Sequence, residues 1–166
     1  MIDDRLLSRR YEVRRMGESD AEAILELCRG NPQFYRYCGA KPSREQVLSD
    51  LNILPPGTDR TSKHYVGFYD KGALIAVMDL IDGYPEPGIA YIGFFMMDGA
   101  RQGRGIGSAI IAEAAVYLKD AGKRSIRLGI DKGNPQSTHF WRKNGFHVMR
   151  EVDRGDWTVL VAERTL

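Results

Sequence analysis

The chain has 166 residues, of which 43% are hydrophobic and 28% charged, with a formal net charge of +2. This size and composition are typical of one globular domain, residues 1–166, and include no apolar run long enough to span a bilayer. The charged N-terminus lacks the apolar core of a secretion signal, and two cysteines provide neither a disulfide framework nor a zinc site. We therefore expect a cytoplasmic protein with no metal and no membrane partner.

Hydrophobic periodicity predicts the elements in chain order. Alternating or continuous apolar runs predict strands, and apolar residues three or four apart predict helices. The resulting order, β-α-α-β-β-β-α-β-α-β-β, indicates a mixed sheet of the α/β (α+β) class. The predicted strands are residues 11–16, His64–Asp70, Ala73–Ile81, Ile89–Met97, Arg124–Asp131, 146–152 and 157–165, and the predicted helices are residues 18–28, 43–51, Ile106–Ala121 and 134–145.

Cap and turn residues mark the ends of several elements. Ser43 and Gln46 have the spacing of a capping box, and Asn134 precedes a proline at the first helical position. The dipeptide Lys71-Gly72 predicts a tight hairpin between two strands. Residues 30–43, rich in Gly, Pro and Asn, are predicted to be a turn-rich connection.

Charge is distributed unevenly along the chain. Residues 1–100 carry 12 Lys and Arg against 15 Asp and Glu, whereas residues 101–166 carry 12 against 7. A basic C-terminal part suits a polyanionic ligand, although an unevenly charged solvated surface gives the same count. We do not expect nucleic acid, because the arginines cluster at one loop and no aromatic stacking platform accompanies them.

The most distinctive segment joins the fourth strand to the long helix. It contains three glycines in five residues, Gly103 to Gly107, together with Arg101 and Arg104. The first N–H groups of a helix have no intrahelical acceptor, and the helix dipole adds partial positive charge there. Glycine lets a phosphate approach that backbone closely. Residues 102–108 are therefore predicted to cradle a diphosphate.

Two common phosphate motifs do not fit this segment. The Walker pattern needs Lys-Ser/Thr after its glycines, and none follows here. The dinucleotide fingerprint needs Gly-x-Gly-x-x-Gly, whereas this chain has Gly-x-Gly-x-Gly, and no acidic residue ends the next strand at the required distance. Asp131 ends that strand about 24 residues past Gly107, but it precedes a second loop. A glycine-rich turn without a ligand is the remaining alternative.

The sequence resembles the GNAT superfamily of acyl-CoA N-acyltransferases. Gln102–Gly107, "QGRGIG", matches that family's Gln/Arg-x-x-Gly-x-Gly/Ala signature, and residues 134–146 are similar to its N…A…FYxKxGF segment. The resemblance implies the GNAT fold, in which strands 4 and 5 splay apart beside a bulge in strand 4. The positions that match the second segment are Asn134, Ser137, Phe140, Trp141, Lys143, Gly145 and Phe146.

The resemblance also implies acetyl-CoA as co-substrate and an amine as acceptor, joined by direct attack in a ternary complex. A non-catalytic acyl-CoA sensor is the alternative, and family habit makes a homodimer one expected assembly. Asn134 would bond the pantetheine arm or would only cap its helix. The residues expected to bind the cofactor are Phe95, Met96, Met97, Gln102, Gly103, Arg104, Gly105, Ile106, Gly107, Ser108, Asn134, Trp141 and Lys143.

The catalytic groups are less well defined by the sequence. The backbone N–H of Met97 or a neighbour is the expected oxyanion donor. By resemblance, Trp141 stands where many relatives have the tyrosine that acts as general acid, and indole is a donor but not a usable acid. Tyr91 stands where relatives often have a glutamate that acts as base, and tyrosine is a poor base unless its pKa is lowered. Three carboxylates on or after the third strand are candidate bases acting through water, or are solvated turn residues: Asp79, Asp82 and Glu86.

Three tyrosines in two loops are candidate acceptor-binding residues. Tyr35 and Tyr37 lie in the connection between the first helices, and Tyr84 precedes the fourth strand. Aromatic rings attract an ammonium group, although they also serve as packing between helix and sheet. Cys38 has no basic neighbour in sequence that would activate it, so an acyl-cysteine route is not expected.

Overall fold

A computed structural model describes all residues from Met1 to Leu166. Seven strands form one sheet in the order β1-β2-β3-β4-β5-β7-β6, with five α-helices around it. The strands are β1 Glu12–Arg15, β2 Lys63–Asp70, β3 Ala73–Asp82, β4 Ile89–Met97, β5 Ser125–Asp131, β6 His147–Asp153 and β7 Thr158–Thr165. The helices are α1 Ala21–Arg29, α2 Pro32–Cys38, α3 Arg44–Asn52, α4 Ile106–Asp120 and α5 Pro135–Lys143.

The sheet is mixed, as the sequence predicts. Every neighbouring pair of strands is antiparallel except β4 and β5, which run parallel and are connected through α4. The crossover places the N-terminus of α4 beside the end of β4. The fold class and the succession of the seven strands along the chain are therefore confirmed.

The prediction of an irregular connection over residues 30–43 is wrong, because this segment contains α2, Pro32–Cys38. Pro32 occupies the first turn and Gly39, at φ +70°, ends the helix. Proline and glycine are common in turns, but proline at the start of a segment and glycine after its end also mark the boundaries of a helix. A short segment between them can therefore be either turns or a helix. Phe34 and Tyr35 pack against the core beneath, so tertiary contacts favour the helix.

The sheet separates two apolar layers. The larger cluster joins one face to α4, α5 and the N-terminal segment, with Ile110, Leu118 and Phe146 almost fully buried. The smaller cluster joins the other face to α1 and α3 through Ile24 and Leu51. Each face of β4 therefore belongs to a different layer. No helix combines the length and apolar character that a membrane crossing needs.

Candidate active site

Strands β4 and β5 separate after four paired residues. Their parallel ladder joins Ile89–Ile92 to Ser125–Leu128, and beyond it β5 pairs only with β7 while β4 keeps only β3. The register between β3 and β4 shifts at this point and leaves Gly93 as the extra residue of a β-bulge. The result is a wedge between two strands of one sheet.

Beyond the bulge, β4 carries backbone groups that no strand pairs. Asp98 N–H donates to Ile75 O at 2.8 Å, which makes Met97 a non-hydrogen-bonded residue of the β3–β4 ladder. The N–H and C=O of Met97 therefore point away from β3 into the wedge. Those of Phe95 do the same, because hydrogen-bonded and non-hydrogen-bonded residues alternate along an antiparallel pair of strands. The backbone of Met96, expected in the same row, instead faces β3.

One of these backbone groups already has a partner within the chain. Asn31, only 7% exposed at the end of α1, donates from Nδ2 to Met97 O at 2.9 Å and to Leu27 O at 3.0 Å. Its side-chain oxygen accepts from Gln102 Nε2, and Gln102 Oε1 accepts from Gln136 at 3.2 Å. Asn31 is not among the residues predicted from the sequence to lie at the site. The one feature of the sequence that marks it is its position directly before Pro32, at the start of a helix.

The glycine loop exposes its backbone at two positions. Gly103 and Gly105 have φ angles of +74° and +77°, and nothing lies within 4 Å of where a Cβ would be. Gly105 is the N-cap of α4, and the first helical bond runs from Ala109 N–H to its carbonyl. The N–H groups of residues 106–108 therefore have no helical acceptor and are available to an anion.

The third glycine has a different role. A Cβ on Gly107 would lie 3.2 Å from a ring carbon of Phe140 and 3.3 Å from the side chain of Met97. The absence of a side chain thus lets the start of α4 approach both β4 and α5. Gly107 fixes the width of the cleft, whereas Gly103 and Gly105 leave its rim open.

These elements enclose a cleft of about 240 Å³ between β4, the glycine loop and α5. Arg104, predicted to contact the cofactor, is not part of its wall, whereas Arg101 is. Arg101 lies 3.4 Å from Asp98 and 3.5 Å from Asp70, so its guanidinium is held at the rim. Among the lining residues are the predicted Phe95, Met96, Met97, Gln102, Gly103, Gly105, Ile106, Gly107, Ser108, Asn134, Trp141 and Lys143.

Helix α5 forms the opposite wall. Asn134 is 2% exposed and accepts from Ser137 N–H at 3.1 Å through its side-chain oxygen, which confirms the predicted cap. That contact leaves the amide nitrogen as the group that can donate into the cleft. Trp141 is buried among three aromatic rings, at 5.9 Å from Phe95, 4.9 Å from Phe140 and 5.1 Å from Phe146. Its environment is that of a packing residue.

The aromatic residues expected at the acceptor site do not form one wall. Tyr35 packs edge-on against Phe34 at 5.1 Å, while Tyr37 is 39% exposed and borders a groove beside α5. Tyr84 packs edge-on against Tyr91 at 5.3 Å, outside the cleft. Burial raises the pKa of Tyr91, which is the opposite of what a tyrosine base needs.

The candidate carboxylates differ in environment. Asp82 is paired with Lys123, and Glu86 lies 3.1 Å from Arg124 at the surface. Asp79 is buried and accepts from Lys63 Nζ at 2.8 Å. Of the three, only Asp79 borders the bulge, since a Cβ on Gly93 would lie 3.0 Å from its Oδ2 atom.

Residues 24–146 match the model of the acetyltransferase (GNAT) family. Because the match covers most of the sequence, the chain belongs to the GNAT family. The matched region includes the wedge, the glycine loop and α5, which together form the cleft. Among curated protein sequences, none matches this chain.

Solved structures share the fold at low sequence identity. An acetyltransferase from Thermus thermophilus has a TM-score of 0.76 at 23% identity, covering 94% of this chain and 97% of that one. The PaiA N-acetyltransferase from Thermoplasma acidophilum, in complex with coenzyme A, has a TM-score of 0.68 at 20% identity, covering 94% and 99%. The aminoglycoside acetyltransferase AAC(6')-Ib, in complex with coenzyme A and kanamycin, has a TM-score of 0.71 at 17% identity, covering 93% and 94%.

Proposed function

We propose that this chain transfers an acetyl group from acetyl-CoA to a primary amine of a small molecule or peptide, by direct attack in a ternary complex. The observation that carries the proposal is the unpaired edge of β4 at Phe95 and Met97, which faces the wedge left by β5. An amide-containing arm can complete that edge as a missing strand would. Family membership and structural relatives in complex with coenzyme A support the same assignment.

The groups around the cleft suit the two ends of such a substrate. The open backbone N–H groups at the start of α4 suit a diphosphate, and Arg101 and Lys143 add positive charge at the rim. Phe95 C=O and Met97 N–H are left for the amides of the pantetheine arm. The amide nitrogen of Asn134 is a further donor on the opposite wall.

The direction of the cleft favours Phe95 over the expected Met97 as the oxyanion donor. A substrate whose diphosphate lies at α4 and whose arm follows β4 passes Met97 first and reaches the bulge last, so its thioester lies at the narrow end of the wedge. Phe95 N–H is nearer that end than Met97 N–H, and we assign it as the donor to the developing oxyanion. Met97 N–H then holds the arm.

Leaving-group chemistry does not require a protein acid. As the amine nitrogen bonds to the acyl carbon, the carbon–sulfur bond breaks and its electron pair stays on sulfur. A thiol with a pKa of about 8.5 can depart as thiolate near neutral pH. Trp141 can donate from its indole N–H but cannot transfer a proton at this pH, so its contribution is packing against the arm.

The test is to incubate the purified protein with acetyl-CoA and a panel of amines, including a polyamine, an aminoglycoside and a lysine-containing peptide. Free CoA thiol and the mass of the product are measured. We expect thiol release that depends on the amine, and an acetylated amine as product. Tight CoA binding without thiol release for any amine would instead support the sensor. The absence of heat on titration with millimolar CoA would remove the coenzyme assignment altogether.

A further inference from the structure

Asp79 is a buried carboxylate whose hydrogen bonding is incomplete. Its Oδ2 atom accepts from Lys63 Nζ at 2.8 Å, whereas its Oδ1 atom is buried and has no hydrogen-bond partner. The side chains of Lys63 and Asp79 are only 4% and 9% exposed. An unpartnered oxygen on a buried carboxylate is costly, so a structural ion pair alone does not account for this arrangement.

The position of Asp79 in the sheet connects it to the wedge. It lies in register with Tyr65 of β2 and Phe94 of β4, on the face that carries α1 and α3. A Cβ on Gly93 would come within 3.0 Å of Asp79 Oδ2, and Gly93 itself is exposed. The bulge at Gly93 is also where the thioester end of the substrate lies in the function proposed above.

We propose that Asp79 accepts the proton that the acceptor amine loses, through a water molecule at Gly93, and that the amine approaches from the α1–α3 face. The inference rests on the proposed transferase function. One proton leaves the ammonium nitrogen for the carboxylate, and the nitrogen lone pair then bonds to the acyl carbon to give a tetrahedral adduct. Sulfur departs with the electrons of the carbon–sulfur bond, and the second proton passes from the nitrogen to the departing thiolate or to solvent. Asp79 returns its proton to solvent after the product leaves.

The charges around Asp79 make it a tunable proton acceptor. Burial raises the pKa of this carboxyl above its ordinary value, while Lys63 opposes the rise through its hydrogen bond and charge. Asp50 of α3 adds to the rise through like charge. Such a carboxyl is more basic than a surface aspartate. The other titratable groups that face this cluster are Tyr65 of β2, Cys28 of α1 and Tyr35 of α2.

The first test compares pH–rate profiles for an aliphatic amine that the wild-type protein acetylates. In the wild type, kcat/KM is expected to fall as the pH decreases through the pKa of Asp79. Asp79→Asn is expected to lower kcat about 100-fold at pH 7, the lower range for loss of a general base. It should also remove this acid limb and leave a rate that rises in proportion to the free amine, with CoA affinity within about twofold.

Variants of Lys63 and Asp50 test how the charges around Asp79 affect the pH of the acid limb. Lys63→Met removes the cation that favours the ionised carboxylate, so the acid limb should move to higher pH. Asp50→Asn removes a half-buried carboxylate of α3 whose charge raises the pKa of Asp79, so the acid limb should move to lower pH while the rate at pH 7 stays within about threefold. A merely structural ion pair would not move the acid limb in this way.

Asp79→Asn leaves a buried ammonium unpaired, which can unfold the protein. The double variant Lys63→Met/Asp79→Asn avoids that cost, and CoA binding reports whether it folds. If a folded variant lacking Asp79 keeps a third or more of the wild-type rate with its acid limb in place, the assignment of Asp79 is wrong while the transferase function stands. If the wild type releases no thiol with any amine, both proposals fail.

Discussion

The two halves of β4 differ in what completes their backbone hydrogen bonding. Ile89–Ile92 bonds to a strand on each side, whereas Phe95 and Met97 have β3 on one side and the wedge on the other. A semi-buried strand edge without partners is unfavourable, so it must be completed by side chains, water or a ligand. Asn31 completes one carbonyl and leaves the other groups free. This site is therefore formed by ending one strand pairing, more than by adding reactive side chains.

The largest expected effect tests the open end of the wedge. Gly105→Asp should place a carboxylate where the diphosphate binds and raise the dissociation constant of CoA about 100-fold, because juxtaposed like charges cost several kcal/mol. Isothermal titration calorimetry measures the change.

Two variants separate charge from backbone strain in that experiment. Gly105→Asn imposes the same positive φ without the charge and should cost much less affinity. Gly57→Asp adds the charge at another open glycine of similar φ, +79°, away from the cleft, and should leave CoA binding unchanged. An equal loss of affinity in all three variants would contradict the cradle at α4.

The next effect concerns the carbonyl of Met97, which is hydrogen-bonded within the chain by the side chain of Asn31. Asn31→Ala removes three side-chain hydrogen bonds, two of them buried, and should lower the free energy of unfolding by about 2 kcal/mol, measured by urea denaturation. Asn52→Ala is the matched control, since Asn52 also donates to a carbonyl four residues earlier, at 2.8 Å, but is exposed and does not reach β4. Equal losses in the two variants would show that the contact with Met97 contributes nothing.

A smaller effect is expected at Gly93, the bulge residue between the two halves of β4. The Cβ of Gly93→Ala would lie 3.0 Å from Asp79 Oδ2, so the carboxylate or the strand must shift. Turnover should fall about tenfold, in keeping with a cost of about 1–3 kcal/mol for overpacking, while CoA affinity stays unchanged. Gly17→Ala, where no atom lies within 4 Å, serves as the control. Full turnover in Gly93→Ala would remove the bulge from the reaction.

The smallest effect is expected on the far wall. Trp141→Phe keeps an aromatic ring among Phe95, Phe140 and Phe146, so turnover should change no more than about threefold and stability by about 1 kcal/mol. Trp157→Phe, at a residue that is 56% exposed, is the comparison for a tryptophan outside the core. A collapse of turnover at unchanged CoA affinity would give the indole N–H a catalytic role.

Local pattern predicted most of the fold and most of the residues that line the cleft. The apolar strand, the glycines and the Asn-Pro start of α5 are signals within short segments, and they define the strand–loop–helix unit directly. Helix α2 was missed because its Pro and Gly boundaries also mark turns, and packing of Phe34 and Tyr35 decides between the two.

Short-range patterns in the sequence were enough to predict the strands, most of the helices and an open helix N-terminus at the glycine loop, because propensity, caps and glycine conformation act within a few residues. Tertiary packing was needed to establish that Asn31 holds the Met97 carbonyl, that Asp82 is paired with Lys123, and that Asp79 meets the bulge. These contacts join residues far apart in sequence, through strand register and helix packing. A one-residue shift of register would turn Asp79 to the other face of the sheet.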